Sequence, residues 1–487
     1  MAASVTTKRL GQYFTPDDVA RTLVRWVVRR RDDQLLDPAC GDGRFVAAHP
    51  NSVGVELAAE LSELARCAAP SATVHAADFF SWALDTKERF DCAVGNPPFV
   101  RYQHFNGNTR QKALKLAARM GVELSGLSSS WAPFIIGAAS LLKPGGRLAF
   151  VVPAEIGHAP YAAPLLEGLC AHFDDLRIVA VRDKLFPKLS EDVWLLFADG
   201  FGGRSDEIGL VRWQTAILSH CPPQPFHRVS LDDWRRHGRR LRKHLIAGSF
   251  LDRYTAWSRR PGIVRLGDVA TVGIGYVTGA NDFFHLRPSL ARRFEIPASV
   301  LRPSIRKGDQ LPPNDVRARH VRQWVEHDQP VLLLDLAGVA ELPPPVARYL
   351  DTDPGHQARA TYKCRNRDPW YVVPDVHVPD AFLTYMSGKD VLLVRNSARC
   401  VCTNSVHAVH VNGRISVSHL QQAWSHPLRV LSAELEGHPL GGGLLKLEPR
   451  EASRVLVPTG KAAIGSSDIP IIEEITREAR SWRHCEA

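Results

Sequence analysis

The sequence predicts an α/β fold, a doubly wound sheet of about seven strands flanked by helices, followed by a second domain of mixed α+β character. Three observations carry this expectation. Across residues 17–99 short apolar runs alternate with helical stretches, the pattern of a mainly parallel sheet covered on both faces. A chain of 487 residues exceeds the roughly 100–200 residues of one domain. Beyond Gly200 the alternation stops, with Gly202 and Gly203 close behind and proline-rich stretches at 222–225 and 343–345, which mark turns and a change of architecture. The expected domains are therefore residues 1–200 and 246–487, with a transition at 201–245.

Within the first domain, strands are expected at 34–37, 52–56, 73–75 and 90–94, each a short apolar run bounded by turn residues. Residues 131–142 read as a helix, Lys143-Pro144-Gly145-Gly146 as its stop and turn, 147–152 as the next buried strand and 192–198 as another.

Composition is that of a globular protein, 45% hydrophobic and 23% charged, and no apolar run reaches the ~18 residues of a membrane span. The N-terminal stretch carries one basic pair without an apolar core, so a cytoplasmic location and no membrane partner are expected. The nine cysteines are scattered, and Cys400 and Cys402 are separated by one residue rather than the two to four of zinc-ligand pairs. They read as reduced thiols, and no metal site is expected. The net charge of +10 lies entirely in the second part of the chain, because residues 1–200 hold 22 basic and 22 acidic residues. A localised basic surplus is the electrostatic footprint of a polyanion-binding segment, although charge alone does not separate it from a generally basic composition.

The tips of the expected strands carry the chemistry. Asp37-Pro38-Ala39-Cys40-Gly41-Asp42-Gly43 follows the first strand, and its glycines let backbone approach a ligand at the sheet's carboxyl edge. Glu56 closes the second strand, where an acid can accept from both ribose hydroxyls, and Asp78-Phe79 follows the third, where a carboxylate and a ring suit an adenine. The loop lacks the G-x-G-x-x-G pattern that seats a pyrophosphate, which favours S-adenosylmethionine over a dinucleotide. After the fourth strand comes Asn96-Pro97-Pro98-Phe99. An exocyclic amine of adenine is a weak nucleophile because its lone pair is delocalised into the ring. Two acceptors, the Asn96 side-chain oxygen and the Pro97 carbonyl, would draw its two N–H bonds aside and direct the lone pair at a methyl donor. The prolines stiffen the loop, and Phe99 offers a face for a base taken out of its stack.

These motifs, in this order, resemble the gamma-class adenine-N6 DNA methyltransferases of TaqI-like restriction-modification systems. Gly11-Gln12-Tyr13-Phe14-Thr15-Pro16 stands first, then the Asp-Pro-Ala-Cys-Gly loop, Glu56, Asp78-Phe79 and the Asn-Pro-Pro-aromatic tetrapeptide. The resemblance implies a Rossmann-like class I S-adenosylmethionine-dependent methyltransferase sheet and a C-terminal target-recognition domain. It implies that Phe14 and Thr15 touch the methionine end of the cofactor, that Asp37, Ala39, Cys40 and Gly41 line its pocket with Asn96 at the reacting end, and that Glu56 holds the ribose and Asp78 and Phe79 the adenine. Leu185-Phe186-Pro187 looks like the family's second stacking motif, so Phe186 would face Phe99 across the base.

The segments 277–284, 367–371 and 403–407 are similar to parts of the family's recognition region. Arg101, Lys188, Thr278, Asn281, Arg365 and Arg367 are the candidate contacts to double-stranded DNA, with core packing the alternative for the aromatics and solvated surface the alternative for the arginines. Phe99 departs from the tyrosine of many relatives. The chain starts at its cofactor motif, so cleavage is expected to belong to a separately encoded restriction endonuclease. Two other readings stay open: an N-methyltransferase of RNA or of protein glutamine, and a DNA-binding specificity subunit without catalysis.

Overall fold

A computed structural model describes residues 14–483 apart from 101–104, 126–127, 187–191, 215–218, 441 and 461–462. Gly11, Gln12, Tyr13, Arg101, Tyr102, Pro187 and Lys188 therefore lie outside the described residues. The chain divides into two compact units, Met1–Leu251 and Asp252–Ala487.

Among the described residues of the first unit, nine strands form one sheet: β1 (Leu35–Asp37), β2 (Ser52–Glu56), β3 (Thr73–Ala76), β4 (Phe90–Gly95), β5 (Leu142–Pro153), β6 (Phe173–Val181), β7 (Val193–Phe201), β8 (Glu207–Trp213) and β9 (His227–Ser230). Their order is β3-β2-β1-β4-β5-β7-β6-β8-β9. Strands β3 to β5 run parallel, β7 is antiparallel to both β5 and β6, β8 runs parallel to β6, and β9 returns antiparallel. The order reverses between β1 and β4, the switch point at which doubly wound sheets open a crevice beyond their strand ends. Both the glycine-rich loop after β1 and the Asn96 loop after β4 emerge there.

The sheet is larger than the expected seven strands. Strands β6, β8 and β9 were absent from the sequence expectation, and the last two occupy the 201–245 segment that reads as a transition. Gly200 and Gly203 mark close approach rather than a break, since a Cβ at either would collide with the Asp174 carboxylate. The Lys143–Gly146 turn also differs: Phe90 pairs with Leu142 and Cys92 with Arg147, so it bulges out of β5 instead of separating helix from strand.

Helices cover both faces. Helix α1 (Asp17–Val27) buries Val19, Ala20, Leu23, Val24, Trp26 and Val27 and carries Asp17 and Asp18 in its first turn, where acidic groups complement the helix dipole. Trp26 meets Phe197 of β7 edge-on, with ring centroids 6.3 Å apart. Further along are α2 (Ala59–Ala68), α3 (Phe79–Asp85), α4 (Gly107–Arg119) and α5 (Trp131–Ala139). Apolar on nearly every side, α5 is buried along most of its length, as such a composition demands.

The second unit is mixed α+β. A four-stranded antiparallel sheet orders Ala270–Ile274, Val406–Val411, Ala381–Thr384 and Leu393–Arg395, and a four-stranded mixed sheet, in which the last pair is parallel, orders His285–Leu286, Leu332–Leu334, Leu301–Ile305 and Val401–Cys402. The helix Ile469–Ser481 and the Arg483 that follows it are fixed by the fully buried Glu434, which accepts from Arg480 Nε at 2.9 Å and Arg483 Nη2 at 2.7 Å. Hydrogen-bonded pairing of this kind is what makes burial of charge tolerable. No helix among the described residues is long and apolar enough to cross a membrane.

Candidate functional site

The crevice at the switch point opens into a cavity of about 200 Å³ whose lining brings together Phe14, Ala39, Gly41, Glu56, Asp78, Phe79 and Asn96. These residues span more than eighty positions of sequence, yet each stands at a strand tip or on the strap ahead of α1. The sheet order, not local sequence, assembles them.

The glycine-rich loop is shaped for close approach. Gly41 and Gly43 adopt φ of +55° and +89°, and a Cβ on Gly43 would sit 2.8 Å from Ala65 Cα of α2, so neither position suits a side chain. Glu56 is buried and braces the loop, its Oε2 accepting from Gly41 N–H at 3.0 Å and its Oε1 from Ala58 N–H at 2.9 Å. Asp37 is fully buried; Oδ1 accepts from Ala39 N–H at 3.1 Å, while Oδ2 has no partner among the described residues. Burial pushes its carboxyl up to about 8, and the nearby Glu56 and Asp42 carboxylates reinforce the shift against the Ala39 hydrogen bond.

The strap before α1 is held by a residue the motif reading passed over. Arg44 donates to Asp42 at 2.8 Å, to the Thr15 carbonyl at 2.9 Å and to Asp17 at 3.1 Å, and its guanidinium lies 5.7 Å from the Phe14 ring centroid. One side chain thus ties the strap to the glycine-rich loop and backs Phe14, which is 49% exposed. Asp78 caps α3 by accepting from Ser81 N–H at 3.0 Å, so its carboxylate is both a helix cap and part of the cavity wall. Phe79 is buried and stacks on Phe134 of α5 with centroids 5.4 Å apart and planes 15° apart.

Asn96 is half-buried at the tip of β4. The loop that follows is clamped by Ser130, whose hydroxyl donates to the Pro98 carbonyl and accepts from Val100 N–H at 3.0 Å, while its own N–H donates to the Val100 carbonyl at 3.0 Å. Ser130, Phe134 and Phe105 also line the cavity. None of the three carries a motif; the apolar run at 131–142 includes Phe134 and begins right after Ser130, while Phe105 lies outside it.

Not every expected residue faces the cavity. Cys40 turns its side chain into a cluster with Val46, Ala65, Ala69 and Val74, and burial raises its thiol far above the ordinary range, so at most its backbone borders the site. Thr15 is buried and meets Arg44 through its carbonyl. Pro98 lines the cavity whereas Pro97 and Phe99 do not. Phe99 packs against the cluster that contains Phe186, so the two rings share one neighbourhood beside the crevice.

In the second unit, Phe283 and Phe284 are buried, and Phe283 stacks on Tyr349 at 4.8 Å, which is the packing alternative for these aromatics. Thr278 is buried and donates to Asn281 at 2.6 Å. Arg367 donates to the carbonyls of Thr278 and Val277 at 2.7 and 2.5 Å. Arg365 is exposed, its guanidinium 5.4 Å from the Tyr362 ring centroid, on a concavity shared with His356, Arg359 and Trp370.

Two family models match the chain. Residues 56–178 match the family described as "Eco57I restriction-modification methylase", and residues 239–486 match "Type II methyltransferase M.Eco57I, C-terminal domain". The chain is 23% identical over 479 residues to the Type II methyltransferase M.XamI of Xanthomonas campestris pv. amaranthicola, covering 93% of this chain and 85% of that one. To M.AccI of Acinetobacter calcoaceticus it is 19% identical over 487 residues, covering 92% and 85%. Among solved structures, the Type IIL restriction-modification enzyme MmeI superposes with a TM-score of 0.54 at 13% identity, covering 87% of this chain. The chain spans 62% of MmeI's length, and the likeness is one of fold. With the C-terminal match covering half of the sequence and the methylase match ahead of it, the chain belongs to the family of Type II restriction-modification methyltransferases represented by M.Eco57I.

Proposed function

We propose that this methyltransferase transfers a methyl group from S-adenosylmethionine to N6 of an adenine extruded from double-stranded DNA. The observation that carries the reading is that Asn96 shares one cavity with Glu56, Asp78 and Phe79, which supports a nucleoside-binding wall beside the side chain assigned to the target amine.

The residues fit such a cofactor. Glu56 is already oriented by two backbone N–H groups and keeps lone pairs for ribose hydroxyls. Asp78 and Phe79 offer an acceptor and an apolar wall for adenine. Asp37 does not line the cavity; its buried carboxyl, pushed up to about 8, is assigned to shaping the glycine-rich loop through the Ala39 N–H rather than to a charge pair with the cofactor. When bound, the cofactor supplies an electrophilic methyl on a sulfonium.

The chain's own part is positioning. The Asn96 side-chain oxygen and the Pro97 carbonyl accept the two N–H bonds of the target amine and turn its lone pair toward the methyl, so no separate base acts before attack. Ser130 holds the loop that carries both acceptors, and Phe99 and Phe186 are assigned to the faces of the extruded base. Arg365, on an exposed concavity of the second unit, is assigned to the DNA backbone.

Support for DNA over RNA or protein glutamine comes from the restriction-modification family match along the second unit and from MmeI, solved in complex with DNA. A separately encoded endonuclease is the proposed counterpart. Modification-sensitive sequencing of DNA from cells expressing the chain tests the reading. N6-methyladenine in one sequence context, absent with Asn96→Ala, is expected; modified cytosine, or modification unchanged by that substitution, refutes it.

A further inference from the structure

Outside the cavity, three side chains near the end of the first unit converge. Asp233 lies on α6 (Leu231–Arg236), His237 immediately follows that helix, and His244 sits on the 3-10 turn Leu241–Leu245. One ligand atom from each lies within 4.8 Å of the other two. A tetrahedral ion with bonds of 2.0–2.1 Å sets its ligands about 3.4 Å apart, so side-chain adjustments of about an ångström close the set.

His244 is the informative member. Its side chain is 1% exposed, and its Nε2 has no hydrogen-bond partner among the described residues, with the Asp233 Oδ2 carboxylate oxygen at 3.9 Å. A core histidine packed for stability satisfies its ring nitrogens, because an orphaned buried nitrogen costs stability. His237 Nδ1 lies 2.9 Å from the Asp233 carbonyl and 3.2 Å from Asp233 Oδ1, which fixes the ring beside the carboxylate. His227 stacks over His244 with centroids 5.9 Å and planes 20° apart and shields it. Lys243 acts on the His244 ring as a neighbouring cation, and two others are engaged elsewhere. Arg235 and Arg239 are drawn to Glu167 at 3.0 and 3.3 Å, and the exposed Arg236 stays 3.8 Å from Asp233.

We propose that Asp233, His237 and His244 bind one Zn²⁺ ion, which tethers α6 to the 241–245 turn. Two imidazoles and a carboxylate suit a borderline ion, and exposure of about a third at Asp233 and His237 leaves the fourth position to water. The role is structural, since none of the three lines the cavity.

The test uses the full, untagged chain stripped with a chelator and titrated with Zn²⁺ against a competing indicator, and separately with Co²⁺. One equivalent of Zn²⁺, a rise in thermal midpoint on loading, and a Co²⁺ absorption spectrum without a thiolate charge-transfer band are expected. In His237→Ala, a partly exposed position, zinc affinity should fall at least tenfold while the metal-free thermal midpoint matches that of the metal-free parent. The proposal is overturned by a stoichiometry near zero, by affinity unchanged in His237→Ala, or by a thiolate band assigning the metal to cysteines.

Discussion

The Ser130 hydroxyl donates to the Pro98 carbonyl and in turn accepts from the Val100 amide at 3.0 Å, so one side chain on the approach to α5 fixes the loop that carries Asn96. A serine that only filled space would tolerate alanine. Here Ser130→Ala leaves the Val100 N–H and the Pro98 carbonyl without that partner, a loss of about 1–3 kcal/mol. The thermal midpoint should drop by about 2–12 °C in a domain of this size. Methyl transfer should slow by about tenfold or more, because the acceptors then wander. Ser130→Thr, which keeps the hydroxyl, should restore most of both; activity and midpoint unchanged in Ser130→Ala would remove Ser130 from the site.

For Glu56, a buried carboxylate that already accepts from Gly41 and Ala58, the expected signature is different. Glu56→Gln leaves a single acceptor oxygen where two backbone N–H groups and the ribose compete. Hydrogen bonds to a charged acceptor are worth about 1.5–3 kcal/mol, so the S-adenosylmethionine dissociation constant should rise by about 10- to 100-fold. Isothermal titration calorimetry reads this directly, and an unchanged constant would place the cofactor elsewhere.

Asp37 sets a pH dependence. Its carboxyl is pushed up to about 8 in the folded chain against 3.8 ordinarily, so between those values the folded state holds a proton that the unfolded state has released. The unfolded state binding fewer protons means that stability falls as pH rises from about 4 to about 8 and levels off above. Asp37→Asn removes this component, so urea melts of the cofactor-free variant should fall less between pH 5 and pH 8 than those of the parent. Identical slopes for the two proteins would show that burial does not hold the proton on Asp37.

Much of the crevice was legible in the sequence because its residues stand at strand ends, where an apolar run stops and a polar or glycine residue begins. Asp37, Glu56, Asp78 and Asn96 all carry that mark. The parts that were not legible depend on contacts between distant segments. Strand β6 carries Asp174, Asp175 and Arg177 in its first half, which breaks the apolar signature although its later residues are buried. Gly200 and Gly203 look like a boundary until Asp174 is found against them. Arg44 belongs to the Asp42-Gly43-Arg44 turn, and nothing local says that its guanidinium reaches back to Thr15 and Asp17. The Asp233, His237 and His244 group likewise spans a helix and a separate turn with no spacing rule to reveal it.

The two arginines singled out in the second unit should behave oppositely. Arg367 spends its guanidinium on the carbonyls of Val277 and Thr278, so Arg367→Ala unpins that backbone. The thermal midpoint should fall, and DNA affinity should fall with it at every salt concentration. Arg365 is exposed with its guanidinium beside the Tyr362 ring, so Arg365→Ala should leave the midpoint within about 1–2 °C, as for a surface change worth under ~0.5 kcal/mol. If it meets a phosphate, the slope of log affinity against log salt should become shallower by about 0.9. Fluorescence anisotropy on a duplex across a salt series, beside thermal melts, separates the two behaviours. An unchanged slope for Arg365→Ala would mean that this concavity does not face the phosphate backbone, and the aromatic cluster beneath it would then serve packing alone.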